Sequence, residues 1–126
     1  MNYERLAPVA AGAAAGAVAR WGTFAVLDSA TTALVIVNLV GTVLLAVIVT
    51  RALGAAGSEH EPRSVRWLDF AATGFCGALT TFSSFAVDLA QRFDDGRFTS
   101  AVVLLIGLLV VGTAVFVAAE RLMTHR

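Results

Sequence analysis

The densest cluster of polar side chains lies in residues 80–85, which read Thr-Thr-Phe-Ser-Ser-Phe within an otherwise apolar stretch. Hydroxyl side chains can hydrogen-bond back to the preceding turn, and Gly74 and Gly77 weaken a helix just before them. Backbone groups freed inside a membrane are tolerated only where they face protein, water or an ion. The pattern therefore predicts a membrane helix that breaks near residues 77–81.

Two phenylalanines accompany these hydroxyls. Phe82 and Phe85 are three residues apart, so they share one face of the helix once it resumes. Phenylalanines in a membrane helix ordinarily contact lipid or packed neighbours, and this alternative stays open. The adjacent hydroxyl cluster favours a more specific role.

Two further polar side chains interrupt apolar stretches. Asn38 lies in the middle of the second stretch, and Thr42, one turn later, shares its face. The Asn38 amide can join two helices by a hydrogen bond or line a conduction path as a donor. Arg20, in the first stretch, costs about 2.5–3.5 kcal/mol at a helix centre. Its side chain can reach the interface, or it can attract anions into a water-filled vestibule.

The elements that must position these residues are four apolar stretches. The chain has 126 residues, of which 58% are hydrophobic and 14% charged, and its mean hydropathy is +0.81. Each stretch is close to the about 20 residues that cross a bilayer. The composition predicts an all-α membrane protein, one domain over residues 1–126. The stretches are residues 6–27, 32–53, 67–90 and 100–119.

The connections between the stretches are short, so neighbouring helices run antiparallel and both termini lie on one side. The longest connection, residues 54–66, is polar and contains Pro62. In the first stretch, Gly12 and Gly16 form a small-xxx-small pattern, which predicts close packing of helix backbones.

Several functional classes are disfavoured. No basic block is present, so nucleic acid is not an expected partner. Cys76 is the only cysteine, which excludes an intrachain disulfide and fits a small packing residue. No Ser–His–Asp set, metal-ligand cluster or phosphate loop lies within the apolar stretches, so an enzyme is not expected.

Taken in order along the chain, these motifs resemble the Fluc (CrcB) family of fluoride channels. The most specific one lies in the third stretch, and two weaker ones in the first and second reinforce it. They read Gly74-x-x-Gly77-x-x-Thr80-Thr81-Phe82-Ser83-Ser84-Phe85, Gly16-Ala-x-x-Arg20-Trp21 and Val37-Asn38-Leu-x-Gly41.

The resemblance implies an antiparallel dimer of four-helix subunits with a broken third helix, which exports fluoride passively. Two conduction paths would run along the subunit interface. Asn38 would donate its amide to fluoride, and Phe82 and Phe85 would turn their ring edges, which are positive, toward the anion. Thr81 and Ser84 would complete the path.

The resemblance also implies a sodium ion at the dimer centre. The backbone carbonyls of Gly77 and Thr80 from both subunits would hold it, since carbonyl oxygens suit a hard monovalent cation. Arg20 would lie in the vestibule that leads to the path.

The sequence departs from the family pattern at three places. Leu34 stands one turn before Asn38, where a threonine is usual, and Ser84 replaces a common threonine. The fourth stretch has one internal hydroxyl, Thr113. The polar track is therefore thin, which predicts poor conduction or dependence on a paralogous partner chain.

The arginines predict the orientation in the membrane. Arginine-rich loops stay in the cytoplasm, and six arginines flank the side of both termini and the long loop, against two on the other side. We therefore expect both termini in the cytoplasm, and a slight preference for an oppositely oriented paralogue over a homodimer. The arginines are Arg5, Arg51, Arg63, Arg66, Arg121 and Arg126 on the first side and Arg92 and Arg97 on the second.

Two other membrane classes compete with the channel. A proton-coupled exporter of the small multidrug-resistance type needs an intramembrane carboxylate. The acids of the third stretch, Asp69 and Asp88, are expected near its ends. A non-conducting structural subunit predicts scattered polar residues instead of a cluster.

Overall fold

The computed structural model describes residues 3–54 and 62–124. Regular structure in these two ranges is helical throughout. It comprises a 3-10 turn Tyr3–Arg5, α1 Leu6–Val26, α2 Ala30–Gly54, α3 Pro62–Leu68, a π-helix Asp69–Cys76, α4 Gly77–Leu79, α5 Phe82–Asp94 and α6 Phe98–Thr124.

Within the described residues, four helical segments are long and apolar enough to cross a membrane, which confirms the predicted all-α membrane protein. We call them the first to fourth spans. They are Tyr3–Val26, Ala30–Ala52, Val65–Asp94 and Phe98–Met123.

The helices continue further than the apolar stretches predicted. α6 ends at Thr124 instead of residue 119, and the third span continues to Asp94 instead of residue 90. Hydropathy marks only the part that lies in lipid, whereas backbone hydrogen bonds carry a helix beyond it. Of the predicted loop of residues 54–66, residues 55–61 lie outside the described residues, as does Arg126. The end of this loop was predicted wrongly, because the helix α3 already begins at Pro62. The organisation of residues 1–126 as one domain stays a prediction.

α1 packs directly against the π-helix and α4. A Cβ atom added to Gly12 would collide with the carbonyl oxygen of Phe70, and one added to Gly16 with that of Phe75. Gly74 lies equally close to the backbone of α1. The two helices therefore touch backbone to backbone, as the spacing of Gly12 and Gly16 predicts.

The other principal contact joins α2 to α6. α2 buries Leu34 and Val37, and α6 buries Ala101. Cys76 of the third span is buried too, in agreement with a packing role. The remaining faces of α6 are apolar and exposed, for example at Val103, as expected of a helix that contacts lipid.

The third span is bent where its polar motif lies. α4 ends at Leu79, and α5 begins at Phe82. Between them Thr80 and Thr81 have extended backbones, with ψ angles of 151° and 112°. The preceding π-helix was not predicted; such turns are rare and often lie beside functional sites.

An ion pair ties the start of the chain to the third span. The Arg5 guanidinium donates to both carboxylate oxygens of Asp69, at 2.7 and 2.6 Å. Asp69 lies within the third span, and its side chain is only 6% exposed. The expectation that it lies near the end of the span thus placed it correctly along the chain but missed its burial and its partner.

Candidate functional site

The hydroxyls of the motif restart the helix after the bend. Thr81 is the N-cap of α5, and its hydroxyl oxygen accepts a hydrogen bond from the Ser84 amide at 3.2 Å. The same hydroxyl lies 3.0 Å from the Ser84 hydroxyl and 3.3 Å from that of Ser83. Threonine and serine are favoured N-caps because they satisfy amides that the first turn leaves free. The motif therefore ends one helical segment and begins the next.

Asn38 of α2 bonds directly to the bend. The Thr81 amide donates to Asn38 Oδ1 at 3.0 Å. Asn38 Nδ2 donates to the carbonyl of Leu34, one turn earlier in α2, at 2.9 Å, and lies 3.5 Å from the Thr81 carbonyl. Of the two roles that the sequence left open, the interhelical hydrogen bond is present in the structure.

The bend leaves carbonyls without helical partners, and those of Gly77 and Thr80 are two of them. In a continuous α-helix the Thr81 amide would donate to Gly77, and the Ser84 amide to Thr80. Here the first donates to Asn38 and the second to the Thr81 side chain. Across residues 3–54 and 62–124, no backbone amide outside the helices donates to either carbonyl.

These two carbonyls, the predicted cation ligands, fit a small hard cation. They lie at the carboxyl end of a helical segment, which carries partial negative charge. Gly77 is exposed, and the space beside its Cα is open. In the part of the chain that the structure describes, no group of three or more His, Cys, Asp or Glu side chains could hold a metal. Two oxygens are too few for a hard cation, so further ligands must come from water or another chain.

The two phenylalanines of the motif are in contact but differ in environment. Their ring centroids are 6.1 Å apart, and the planes are tilted by 50°. The Phe82 residue is 79% exposed, whereas Phe85 is 4% exposed. Phe85 is therefore part of the core of the subunit, and Phe82 is free to contact something outside it.

A groove of about 330 Å³ runs along α5 from the bend. Ser83, Ser84 and Asp88 contribute polar groups to it, while Leu34 contributes to the apolar lining. Its other lining residues are Phe24, Ala30, Val87 and Gln91. Leu34, which stands where a threonine is usual, thus lines this groove with an apolar side chain.

A charged cluster at the far end of the groove was not predicted. Arg92 donates to Asp88 at 3.0 Å, to Thr31 of α2 at 2.8 Å and to Ser100 of α6 at 3.1 Å. The Arg92 and Asp88 side chains are 14% and 23% exposed. The i, i+4 spacing of Asp88 and Arg92 was the available signal. The bonds to Thr31 and Ser100 have no counterpart in the sequence pattern.

Arg20 is half-buried in α1. In the described ranges no hydrogen bond or ion pair joins it to the residues of the bend. The structure therefore brings together Asn38, Thr81 and Ser84 but leaves Arg20 apart from them.

These features define a multi-pass membrane protein whose bent third span presents unpaired backbone carbonyls, beside hydroxyl and amide side chains. Non-helical backbone at membrane depth is typical of ion-conducting and transporting proteins. Residues 7–119 match the family described as CrcB-like protein, Camphor Resistance (CrcB). The chain belongs to this family.

Similar proteins carry one common description. A "Fluoride-specific ion channel FluC" from Marinobacter nauticus is 35% identical over 120 residues, which cover 92% of this chain and 85% of the relative. One from Prosthecochloris aestuarii is 37% identical over 88% of this chain and 86% of its own length. "Fluoride-specific ion channel FluC 1" from Yersinia pseudotuberculosis is 36% identical over 79% and 77%.

Proposed function

We propose that this protein is a fluoride-selective channel that lets fluoride leave the cell passively. The relatives named as fluoride-specific channels support this, because their similarity extends over most of the chain. The observation that carries the proposal is the bend, where the Asn38 side chain bonds to the Thr81 main chain and the Thr81 hydroxyl lies 3.0 Å from that of Ser84. Fluoride is small and tightly hydrated, so a path must replace its water with such donors.

On the proposed path, fluoride passes the exposed edge of Phe82 and the hydroxyls beside it. Asn38 Nδ2 can take part because its bond to the Thr81 carbonyl, at 3.5 Å, is at the limit of a hydrogen bond. One N–H of the amide is therefore available to an anion, while the other holds the Leu34 carbonyl. Phe85 supports Phe82 from within the subunit.

The proposed assembly is an antiparallel dimer around a sodium ion. Phe82 and Gly77 are both exposed on the third span, on the two sides of the bend. A second copy related by a two-fold axis would bring a second pair of Gly77 and Thr80 carbonyls to the same ion. This would complete a ligand set that one chain cannot supply.

The partner in this dimer is either a second copy or an oppositely oriented paralogue, and the termini are proposed to be cytoplasmic. Arg5 is paired with Asp69 on the first side, and Arg92 with Asp88 and Arg97 with Asp95 on the second. The remaining bias still favours cytoplasmic termini. Labelling of a cysteine placed at either terminus of a Cys76→Ala protein in intact cells tests this. Equal labelling of one terminus from both sides would support a homodimer instead.

A proton-coupled exporter is disfavoured by the partners of Asp69 and Asp88, the acids of the third apolar stretch. Asp69 is held by Arg5 and Asp88 by Arg92, so neither is a free carboxylate that could exchange a proton for a cationic substrate. A fluoride channel needs no such group.

The test is fluoride efflux from liposomes that contain this protein alone. Vesicles loaded with potassium fluoride and treated with valinomycin should release fluoride, measured with an electrode, and chloride-loaded vesicles should retain chloride. The Asn38→Asp variant, with a repelling carboxylate at the proposed donor, should be silent although it assembles. Efflux that appears only after a paralogue is added would identify a heterodimer. Absence of efflux in both cases contradicts the proposal.

A further inference from the structure

The geometry of the bend assigns a second role to Asn38. We propose that Asn38 is a positioning residue that frees the Gly77 carbonyl for a small cation, because it accepts the Thr81 amide hydrogen in place of that carbonyl. The inference rests on the proposed sodium site but not on fluoride conduction. Its test therefore measures sodium binding and leaves flux aside.

The orientation of the Asn38 amide is determined by its partners. Nδ2 donates to the Leu34 carbonyl at 2.9 Å, and Oδ1 accepts from the Thr81 amide at 3.0 Å. The reversed amide would place an oxygen against the Leu34 carbonyl and a donor against the Thr81 donor. The acceptor must therefore face the third span.

The Thr81 amide needs an acceptor because Thr81 is buried. Without Asn38, the Thr81 amide would donate to the Gly77 carbonyl, four residues earlier, as in a continuous α-helix. Asn38 and Gly77 thus compete for one hydrogen. Since Asn38 has it, α4 ends and the Gly77 carbonyl stays open.

The Thr80 carbonyl is freed in the same manner by a different group. The Ser84 amide, which would donate to it in a continuous helix, donates to the Thr81 hydroxyl at 3.2 Å. Two substitute acceptors, one from α2 and one from the motif itself, therefore open the two carbonyls that the cation requires. Asn38 contributes the one that comes from outside the third span.

The oxygen and the nitrogen of the Asn38 side-chain amide then serve two different ion sites. Oδ1 shapes the cation site through Thr81, and Nδ2 faces the proposed anion path. Substitutions can separate these roles. Asn38→Asp keeps the acceptor for the Thr81 amide but loses the donor. Asn38→Leu has nearly the same shape and loses both.

Sodium binding to the purified protein tests the proposal, with radioactive sodium and with thermal unfolding in sodium against N-methylglucamine salts. The Asn38→Asp variant should bind sodium at least as tightly as the wild type, because it keeps the acceptor for the Thr81 amide and its negative charge attracts the cation. The Asn38→Leu variant should lose about tenfold or more in affinity, since a ligand is withdrawn. Thr42→Val is the matched control, because the Thr42 hydroxyl bonds only one turn back, to the Asn38 carbonyl at 2.8 Å. It should bind normally.

Sodium binding that is normal in a folded Asn38→Leu protein overturns the proposal, and so does loss of binding in a folded Asn38→Asp protein. Should Asn38→Leu fail to fold, nuclear magnetic resonance on the wild type decides. The Thr81 amide should be protected from exchange, and the ¹³C resonance of the Gly77 carbonyl should shift when sodium replaces N-methylglucamine. A fast-exchanging Thr81 amide, or a Gly77 carbonyl that does not respond, also overturns it.

Discussion

The two halves of the third span are held in place by different means. The half before the bend, the π-helix and α4, packs backbone to backbone on α1 through glycines. The half after it, α5, is held by directed polar contacts: the Thr81 cap, the Asn38 amide at the bend and Arg92 at the far end. Close packing allows little adjustment, whereas hydrogen bonds place individual groups at defined points.

This difference follows from the membrane. Between helices in lipid the hydrophobic effect offers no driving force, so tight backbone contact is the main source of association for an apolar segment. Polar groups inside the membrane must be hydrogen-bonded or paired. Their contacts therefore determine where individual groups lie and do not depend on a large contact area between helices. The half after the bend, α5, is held by such polar contacts. Its other side chains are therefore free to line the groove and to face outward.

The largest effect is expected at the packed half. In Gly16→Ala the new methyl group collides with the backbone carbonyl of Phe75, which cannot move aside as a flexible side chain would. Overpacking typically costs about 1–3 kcal/mol, and a backbone obstacle belongs at the upper end. Gly22→Ala is the control within α1, because its Cβ would meet nothing within 4 Å. Yield and thermal unfolding in detergent should fall for the first variant only; equal behaviour would mean that α1 does not rely on close contact.

A slightly smaller effect is expected from the polar clamp at the end of α5. Arg92→Gln leaves the Asp88 carboxylate without its counter-charge in the groove. Because the pair is only partly buried, the cost should be about 2 kcal/mol, below that of a fully buried pair. The adjoining carboxylate should also repel fluoride. Asp88→Asn in the same chain should restore part of both stability and efflux, because no unpaired charge then remains. A double variant no better than Arg92→Gln would show that charge compensation is not the role of this pair.

Phe82 and Phe85, the two phenylalanines of the motif in α5, should respond differently to the same substitution. Phe85→Ile should cost about 1.5 kcal/mol, because the residue is buried and isoleucine fills its space imperfectly. Phe82→Ile should leave the unfolding midpoint of the subunit unchanged, because its ring is outside the core. Phe82→Ile should reduce fluoride efflux, since isoleucine offers no positive edge. Phe85→Ile should also reduce it, because Phe82 loses the ring that it packs against. Normal efflux in both would identify the two rings as packing residues.

The sequence was sufficient where one element determines its own structure. The apolar stretches predicted the spans because hydropathy and length report burial in lipid directly. The spacing of Gly12 and Gly16 predicted close contact, since a helix with two small residues on one face has a flat surface there. The hydroxyls after Gly77 indicated the position of the bend, which lies at Thr80 and Thr81.

The sequence was insufficient where a partner comes from elsewhere in the chain. Arg5 and Asp69 are 64 residues apart, and Asn38 and Thr81 are 43 apart, so no local pattern joins them. Helical spacing placed Thr42 on the face of Asn38 but could not show which atom of the Asn38 side chain faces the third span. That choice depends on the packing of α2 against the bend.

The smallest effect is expected at Thr80, beside the proposed cation site. Its hydroxyl donates to the Cys76 carbonyl at 3.0 Å, one turn back, so it takes no part in freeing the carbonyls. Thr80→Ala should therefore retain sodium binding, because the proposed ligand is the main-chain oxygen. The Thr80 methyl group lies against Gly41 of α2, so a small loss of packing, well below that of Gly16→Ala, is expected in thermal unfolding. Measurement of sodium affinity separates the two effects. Lost binding in a folded Thr80→Ala protein would make the side chain the ligand, and the bend would then hold its cation by side chains as well as by backbone.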